Sequence, residues 1–318
     1  MFSKHKQTPL YLITVPEAEH NLSFSSTQQS SLFINNMSST KDLLLFDHPV
    51  SSYAQKIRIA LREKNLPFRS EIPVGGGIKA SPEFVETNPR CEVPVLINGS
   101  DAIFDSTIIL EYLEDLHPSP PLLPPVSDPG ARARVRMIED LADTIYEAVN
   151  WVWGEVLWSG RAGDDDEGNL LRKHIATQVH DQTKQLYAWF EAKLGEHDFF
   201  GGSHGFGYAD LALIALVHRS IYFGFPPANG SKLMAWYDRC AARESVRVTL
   251  REFDENVAGI FKLKGFYRDG SGFRRQYRDH RMEAMVKLGG WEILRNGIRD
   301  ENVKFSWPGQ LGKQLGKL

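Results

Sequence analysis

Residues 43–74 read LLLFDHPVSSYAQKIRIALREKNLPFRSEIPV, and this stretch decides the fold. Leu43-Leu44-Leu45-Phe46 is an apolar run of strand length. Asp47-His48-Pro49 breaks it. Ser51 and Ser52 are each suited to cap a helix, because a hydroxyl oxygen accepts from the free N–H groups of a first turn. Ile57, Ala60, Leu61 and the stem of Lys64 then recur at helical spacing, and Asn65-Leu66-Pro67 ends the helix. Arg69 to Val74 returns to strand character.

Working outward, Gly75-Gly76-Gly77 opens a flexible loop, and Val93 to Ile97 forms a third strand with Pro94 near its start. Asn98-Gly99 is a hairpin signal, and Ala102-Ile103-Phe104 is the returning strand. Asp105 and Ser106 cap a helix with Ile109, Tyr112, Leu113 and Leu116 on one face. The order β-α-β-loop-β-β-α predicts an α+β layer of thioredoxin type over residues 42–118. Residues 119–130 are proline-rich and read as a linker. Beyond it strand signals stop. Ala131 to Trp158, Leu171 to Leu194, Asp210 to Tyr222 and Lys232 to Ala242 carry helical periodicity, so residues 131–255 are expected to be an all-α bundle. Gly163 to Gly168, with three aspartates, reads as an exposed acidic turn. Residues 1–41, rich in Ser, Asn, Gln and Thr, are expected to be disordered, and translation starting at Met37 is one reading of this segment.

Composition narrows the function. Of 318 residues, 42% are hydrophobic and 24% charged, the balance of a globular chain. No run of about 18 apolar residues occurs, so no membrane partner is expected. The two cysteines, Cys91 and Cys240, are too few for a disulfide framework or a cysteine zinc site and suit a reducing, cytoplasmic setting. No metal is expected. The net charge of −3 leaves no global basic field for nucleic acid. The charge is uneven: Lys262 to Leu318 carries +7, leaving −10 for the rest. Aromatic and basic residues alternate there, at Phe266, Tyr267, Arg268, Phe273, Arg274, Arg275, Tyr277 and Arg278. Such interleaving can bind single-stranded nucleic acid, but the acidic body argues against it. Residues 256–318 are expected to pack on the helical domain or a dimer edge, and Trp291 and Trp307 suggest that this tail packs rather than floats.

Four motifs in order carry a family resemblance. Leu45-Phe46, Pro49-Val50-Ser51-Ser52-Tyr53 and Lys56 to Leu61 resemble the first strand, catalytic loop and first helix of glutathione transferases. Asn88-Pro89-Arg90-Cys91-Glu92-Val93-Pro94-Val95-Leu96 resembles their cis-proline loop. Asp105-Ser106 to Leu113 resembles their acidic-Ser helix start, and Gly207-Tyr208-Ala209-Asp210-Leu211 their helix entry in the second domain. The resemblance covers Leu43 to Phe253. It is to serine-type members, near the zeta, omega and etherase-like branches, with a C-terminal extension of fungal type.

The resemblance implies a homodimer that uses glutathione as co-substrate and conjugates it to an apolar electrophilic small molecule. Ser51 aligns with the catalytic residue, with Ser52 as runner-up. Lowering a thiol pKa from about 8.5 by two units requires about 2.7 kcal/mol of preference for the anion. A hydroxyl hydrogen bond supplies roughly 1.5–3 kcal/mol and a helix N-terminus roughly 0.3–1 kcal/mol. Val93, before a cis Pro94, presents its backbone to the cysteinyl unit. Asp105 and Ser106 meet the γ-glutamyl end, and Lys79 the glycyl carboxylate. Tyr146, Trp151 and Trp153, with Trp158 beyond them, are candidate walls of the acceptor site. His48 is either structural or part of the site. Two departures stand out: Cys91 and Gly207 replace the family's usual small residue and Ser/Thr cap. A glutathione-dependent isomerase or ether-cleaving enzyme and a non-catalytic interaction module are the alternatives.

Overall fold

The first strand, β1 (Leu43–Phe46), leads through a turn into α1 (Ser52–Glu63), and β2 (Phe68–Glu71) returns beside it. Then come α2 (Pro82–Thr87), β3 (Val95–Asn98), β4 (Asp101–Phe104) and α3 (Ser106–Leu116). Among the described residues eight further segments are helical: α4 (Pro129–Leu141), a π-helical turn (Ala142–Tyr146), α5 (Glu147–Leu157), α6 (Asp166–Leu194), a 3-10 turn (Gly202–His204), α7 (Tyr208–Tyr222), α8 (Lys232–Ala241) and α9 (Glu244–Ile260). The computed structural model describes residues 43–73, 82–88, 90, 92–158, 160, 162 and 164–260, with 282, 291, 295 and 299. The expectations for residues 1–41, Gly75–Gly77, Lys79, Cys91 and most of 256–318 lie outside the described residues. Trp291, expected to be packed, is 53% exposed. No helix among the described residues is long and apolar enough to cross a membrane.

The sheet order is β2-β1-β3-β4, with β1 and β2 parallel and the other pairs antiparallel. Strand alternation splits β1 between two cores. Leu43 and Leu45 join the main core with Ile57, Leu61, Ile109 and Leu113. Phe46 joins Val95 and Phe84 in a small core on the opposite face. That second core is closed by α2, which the sequence reading did not anticipate. The second strand ends at Glu71, short of the expected Val74, where β1, its pairing partner among the described residues, ends at Phe46.

The predicted helix over 131–158 is interrupted. Asp128 caps α4 and Pro129 opens it, and the π turn then offsets α5. The segment read as a linker is pinned: Leu122 and Leu123 are buried and donate their N–H groups to the Glu114 carboxylate. Leu122 O accepts from Tyr208 N at 3.0 Å. A Cβ on Gly207 would lie 2.2 Å from that same oxygen, which explains why glycine stands at the start of α7. Asp210 accepts from Gly207 N, Phe200 N and Trp236 Nε1; burial raises its pKa to about 6 against those hydrogen bonds.

Helix α1 carries both halves. Nine of its twelve residues, Lys56 and Arg58 among them, are buried. Lys56 Nζ pairs with Glu139 at 2.8 Å and with Asp143. Burial disfavours the ammonium, but the Asp143 and Glu139 carboxylates outweigh it and raise its pKa. Arg58 pairs with Asp47 and Glu252, and Lys64 with Glu114. Removing one member of a buried pair strands the other's charge. Lys56→Met is expected to lower the free energy of unfolding by about 3–5 kcal/mol. Urea unfolding checks this, and a loss below about 1 kcal/mol, the value of an exposed pair, would contradict it.

The turn before α1 is held atom by atom. Ser51 N donates to His48 O at 2.9 Å, Val50 N donates to His48 Nδ1 at 3.2 Å, and Gln55 Nε2 donates to Pro49 O at 2.8 Å. His48 is therefore structural here, and neutral at Nδ1. Burial lowers its pKa from 6.5; Asp47 opposes this and Arg58 reinforces it. The folded chain thus binds fewer protons at His48 than the unfolded chain. This contribution is complete above about pH 6.5 and is lost as pH falls through the lowered value. His48→Asn keeps an acceptor for Val50 N without a titrating group. Urea midpoints should fall less steeply for this variant than for the natural chain as pH is lowered below about 6.5; parallel curves would contradict the role.

Candidate active site

Strand register assembles the candidate site. Phe46 pairs with Val95, and Val95 pairs with Phe104. The residues just beyond these pairs are the turn into Ser51, Pro94 and Asp105, so three remote motifs meet at one sheet edge. The Val93-Pro94 peptide is cis. Asp105 has φ 75°, a left-handed conformation that costs a non-glycine residue about 1–3 kcal/mol. Its Oδ1 caps α3, accepting from Thr107 N at 3.0 Å and Ile108 N at 3.4 Å. Its Oδ2 lies 3.5 Å from Arg90 Nη1. Ser106 is buried at the first position of α3.

Three hydroxyls stand in sequence at the start of α1, and the structure separates them. Ser51 is the N-cap, in extended conformation, and its Oγ accepts from Ala54 N at 3.3 Å. That bond uses a lone pair and leaves the hydroxyl proton to donate. Ser52 is buried and donates to Glu147 Oε2 at 2.9 Å, so its hydroxyl proton is engaged in the helical half. Tyr53 donates to Asp143 O at 2.7 Å. Burial, reinforced by Glu147 and Asp143, drives its pKa far up, so it stays a neutral phenol. The N-terminus of α1 adds its own positive end to the Ser51 position.

The expected acceptor wall divides as well. Tyr146 is fully buried in the helical core, with its hydroxyl 2.7 Å from Ser220 Oγ and 3.1 Å from Tyr187 Oη. It does not line a cleft. Trp153 is also buried, packed edge-on against Phe225 at 5.7 Å. Trp151 is half-buried. Trp158 is the aromatic that reaches the Ser51 turn: it packs against the cluster of Val50, Phe253 and Val257 and lies 5.0 Å from the Phe223 ring. A Cβ on Gly154 would come within 3.1 Å of that indole, so a glycine that costs the helix about 1 kcal/mol makes room for it.

Sequence reasoning missed the groups behind the turn. Arg219 Nη2 donates to Val50 O at 2.8 Å, and Nη1 donates to both Glu147 oxygens, at 2.9 and 3.0 Å. A signal existed. Arg219 follows the apolar run Leu211–Val217 by two positions in α7, and a buried guanidinium requires a partner.

The sequence pattern of the glutathione S-transferase N-terminal domain matches residues 45–121. Glutathione S-transferase U25 of Arabidopsis thaliana is 31% identical over 231 residues, covering 70% of this chain and 95% of the relative. Glutathione S-transferase U19 of the same plant is 32% identical over 237 residues, covering 70% and 96%. The crystal structure of rice GST1 in complex with glutathione superposes with a TM-score of 0.56 at 28% identity, over 71% of this chain and all of that one. Shared sequence over nearly the whole length of these relatives, together with the sheet edge that unites Ser51, cis-Pro94 and Asp105, places the chain in the glutathione S-transferase family.

Proposed function

We propose that the chain is a serine-type glutathione transferase in which Ser51 donates its hydroxyl proton in a hydrogen bond to the glutathione thiolate. The observation that carries this is the division of labour at the start of α1: Ser52 and Tyr53 donate hydrogen bonds to Glu147 Oε2 and Asp143 O, whereas among the described residues Ser51 Oγ accepts from Ala54 N and donates to none. A charged acceptor makes that bond worth roughly 1.5–3 kcal/mol, and the helix N-terminus adds roughly 0.3–1 kcal/mol. Together these meet the 2.7 kcal/mol or so that a two-unit drop in thiol pKa demands. The thiolate then attacks an electrophilic carbon of an apolar molecule, forming a thioether while the leaving group departs with the bonding pair.

In this reading the Val93 backbone pairs with the cysteinyl unit like an added strand. Ser106 and the α3 N-terminus receive the γ-glutamyl carboxylate. Asp105 Oδ2, beside Arg90, takes its ammonium. Lys79 is proposed for the glycyl carboxylate. The acceptor rests against Trp158, the large ring packed on Val50. A homodimer is part of the same reading: Ile108 on α3 and Met137 on α4 are exposed apolar side chains, on helices tied together by Arg136 and Glu111.

Ser51→Ala is expected to cut turnover of a model electrophile about tenfold or more, the loss of one charge-assisted hydrogen bond, while retention on immobilised glutathione persists. Unchanged turnover would remove Ser51 from the chemistry. A natural chain that is not retained would favour a transferase-like scaffold. Trp158→Ala should raise KM for an apolar acceptor about tenfold and leave KM for glutathione within about twofold. Equal changes in both constants would argue against an acceptor wall there.

A further inference from the structure

We propose that Arg219 is a positioning residue for thiolate formation: from the helical half it fixes the peptide that orients the Ser51 hydroxyl. The inference rests on the Ser51 reading above and goes beyond it, by naming what aims the hydroxyl.

Val50 and Ser51 share one peptide unit. Its N–H donates to His48 O at 2.9 Å, within the turn itself. Its carbonyl is held from outside, by Arg219 Nη2 at 2.8 Å. With both ends pinned, the peptide plane cannot rock, and the direction of the Ser51 Cα–Cβ bond is set with it. Neighbouring Pro49 O is held by Gln55 of the helix that follows the turn, so it offers no comparable tie between halves. The Arg219 bond spans 169 positions in the chain.

The guanidinium is itself aimed. Its Nη1 contacts both oxygens of Glu147 at 2.9 and 3.0 Å, and Glu147 Oε2 also accepts from Ser52 Oγ at 2.9 Å. The Trp158 ring lies 5.8 Å from the guanidinium carbon and covers one face. Arg219 is 3% exposed, and its Nε–H has no partner among the described residues. The side chain therefore leaves one donor unsatisfied while serving Glu147 and Val50, so its placement is not explained by satisfying its own donors. Serine 52 gains a purpose here: it does not face the thiol but steadies the carboxylate that steadies Arg219. A planar fork suits this task, since it reaches a carboxylate and a carbonyl at once.

Loss of this hold lets the hydroxyl swing, weakening the bond to the thiolate without removing the pocket that binds the tripeptide. The diagnostic quantity is the pKa of enzyme-bound glutathione, read from ultraviolet thiolate absorbance against pH. Three variants are compared with the natural chain. Arg219→Lys keeps the charge beside Glu147 but not the fork. Arg219→Met with Glu147→Leu removes the pair together and strands no charge, which preserves folding where the single arginine deletion fails. Ser51→Ala is the reference. In both Arg219 variants the bound thiol pKa should rise by about one unit, with kcat about tenfold lower at neutral pH and KM for glutathione within about twofold. Raising pH should restore kcat in the Arg219→Lys variant, which a general loss of packing would not allow. If Ser51→Ala raises the thiol pKa and both Arg219 variants leave it unchanged, the positioning role is wrong and the serine reading stands. If Ser51→Ala also leaves it unchanged, the serine reading fails and the positioning role fails with it.

Discussion

Everything in this molecule hangs on burying a charged helix. Helix α1 lies between the sheet and the helical half, and its basic residues point at neighbours instead of water. Lys56 is fully buried against Glu139 and Asp143, Arg58 against Asp47 and Glu252, and Lys64 against Glu114. On its opposite polarity, Glu63 receives Arg243 and Ser245. Ion pairs of this kind add little net stability compared with apolar packing, but they are costly to break singly. Their effect is therefore to dictate one arrangement: α1 can sit against α4, the π turn and α9 in a single register. Since Ser51 caps that helix, the same pairs fix where its hydroxyl stands relative to both halves.

That arrangement turns a bland run of hydroxyl residues into a differentiated one. Ser51, Ser52 and Tyr53 are consecutive, so the helix points them in different directions about its axis. Ser51 accepts from Ala54 N of its own helix; the other two face the helical half and donate hydrogen bonds to the Glu147 carboxylate and the Asp143 backbone carbonyl. In the proposed reading, chemistry falls to Ser51, whose hydroxyl proton is left to donate at the positive end of a helix. The Asp105 conformation belongs to the sheet edge of the candidate site: a left-handed aspartate is tolerated there because its carboxylate caps α3.

The elements that local pattern specifies were legible. The β1 run, the Ser51 cap, the Asn98-Gly99 hairpin signal and the α3 start can be read because each depends on residues a few positions apart. The site edge was legible through the family motifs, whose order matches the strand register. What escaped depends on partners far along the chain. Ser52 is chemically equivalent to Ser51 in sequence and is separated from it only by Glu147, 95 positions away. Gly207 reads as a weak cap until Leu122 O is seen where its Cβ would be. Tyr146 and Trp153 sit in helical segments that are apolar on several faces, so periodicity could not say which ring is core and which meets the turn. Trp158 does so because Gly154 leaves it room.

The most direct test is a crystal structure of the natural chain soaked with glutathione. The account predicts the glutathione sulfur within hydrogen-bonding distance of Ser51 Oγ, with Ser52 still on Glu147 and Val50 O still on Arg219. A sulfur lying against Ser52 or Tyr53, or a Ser51 side chain turned away from the tripeptide, would contradict it.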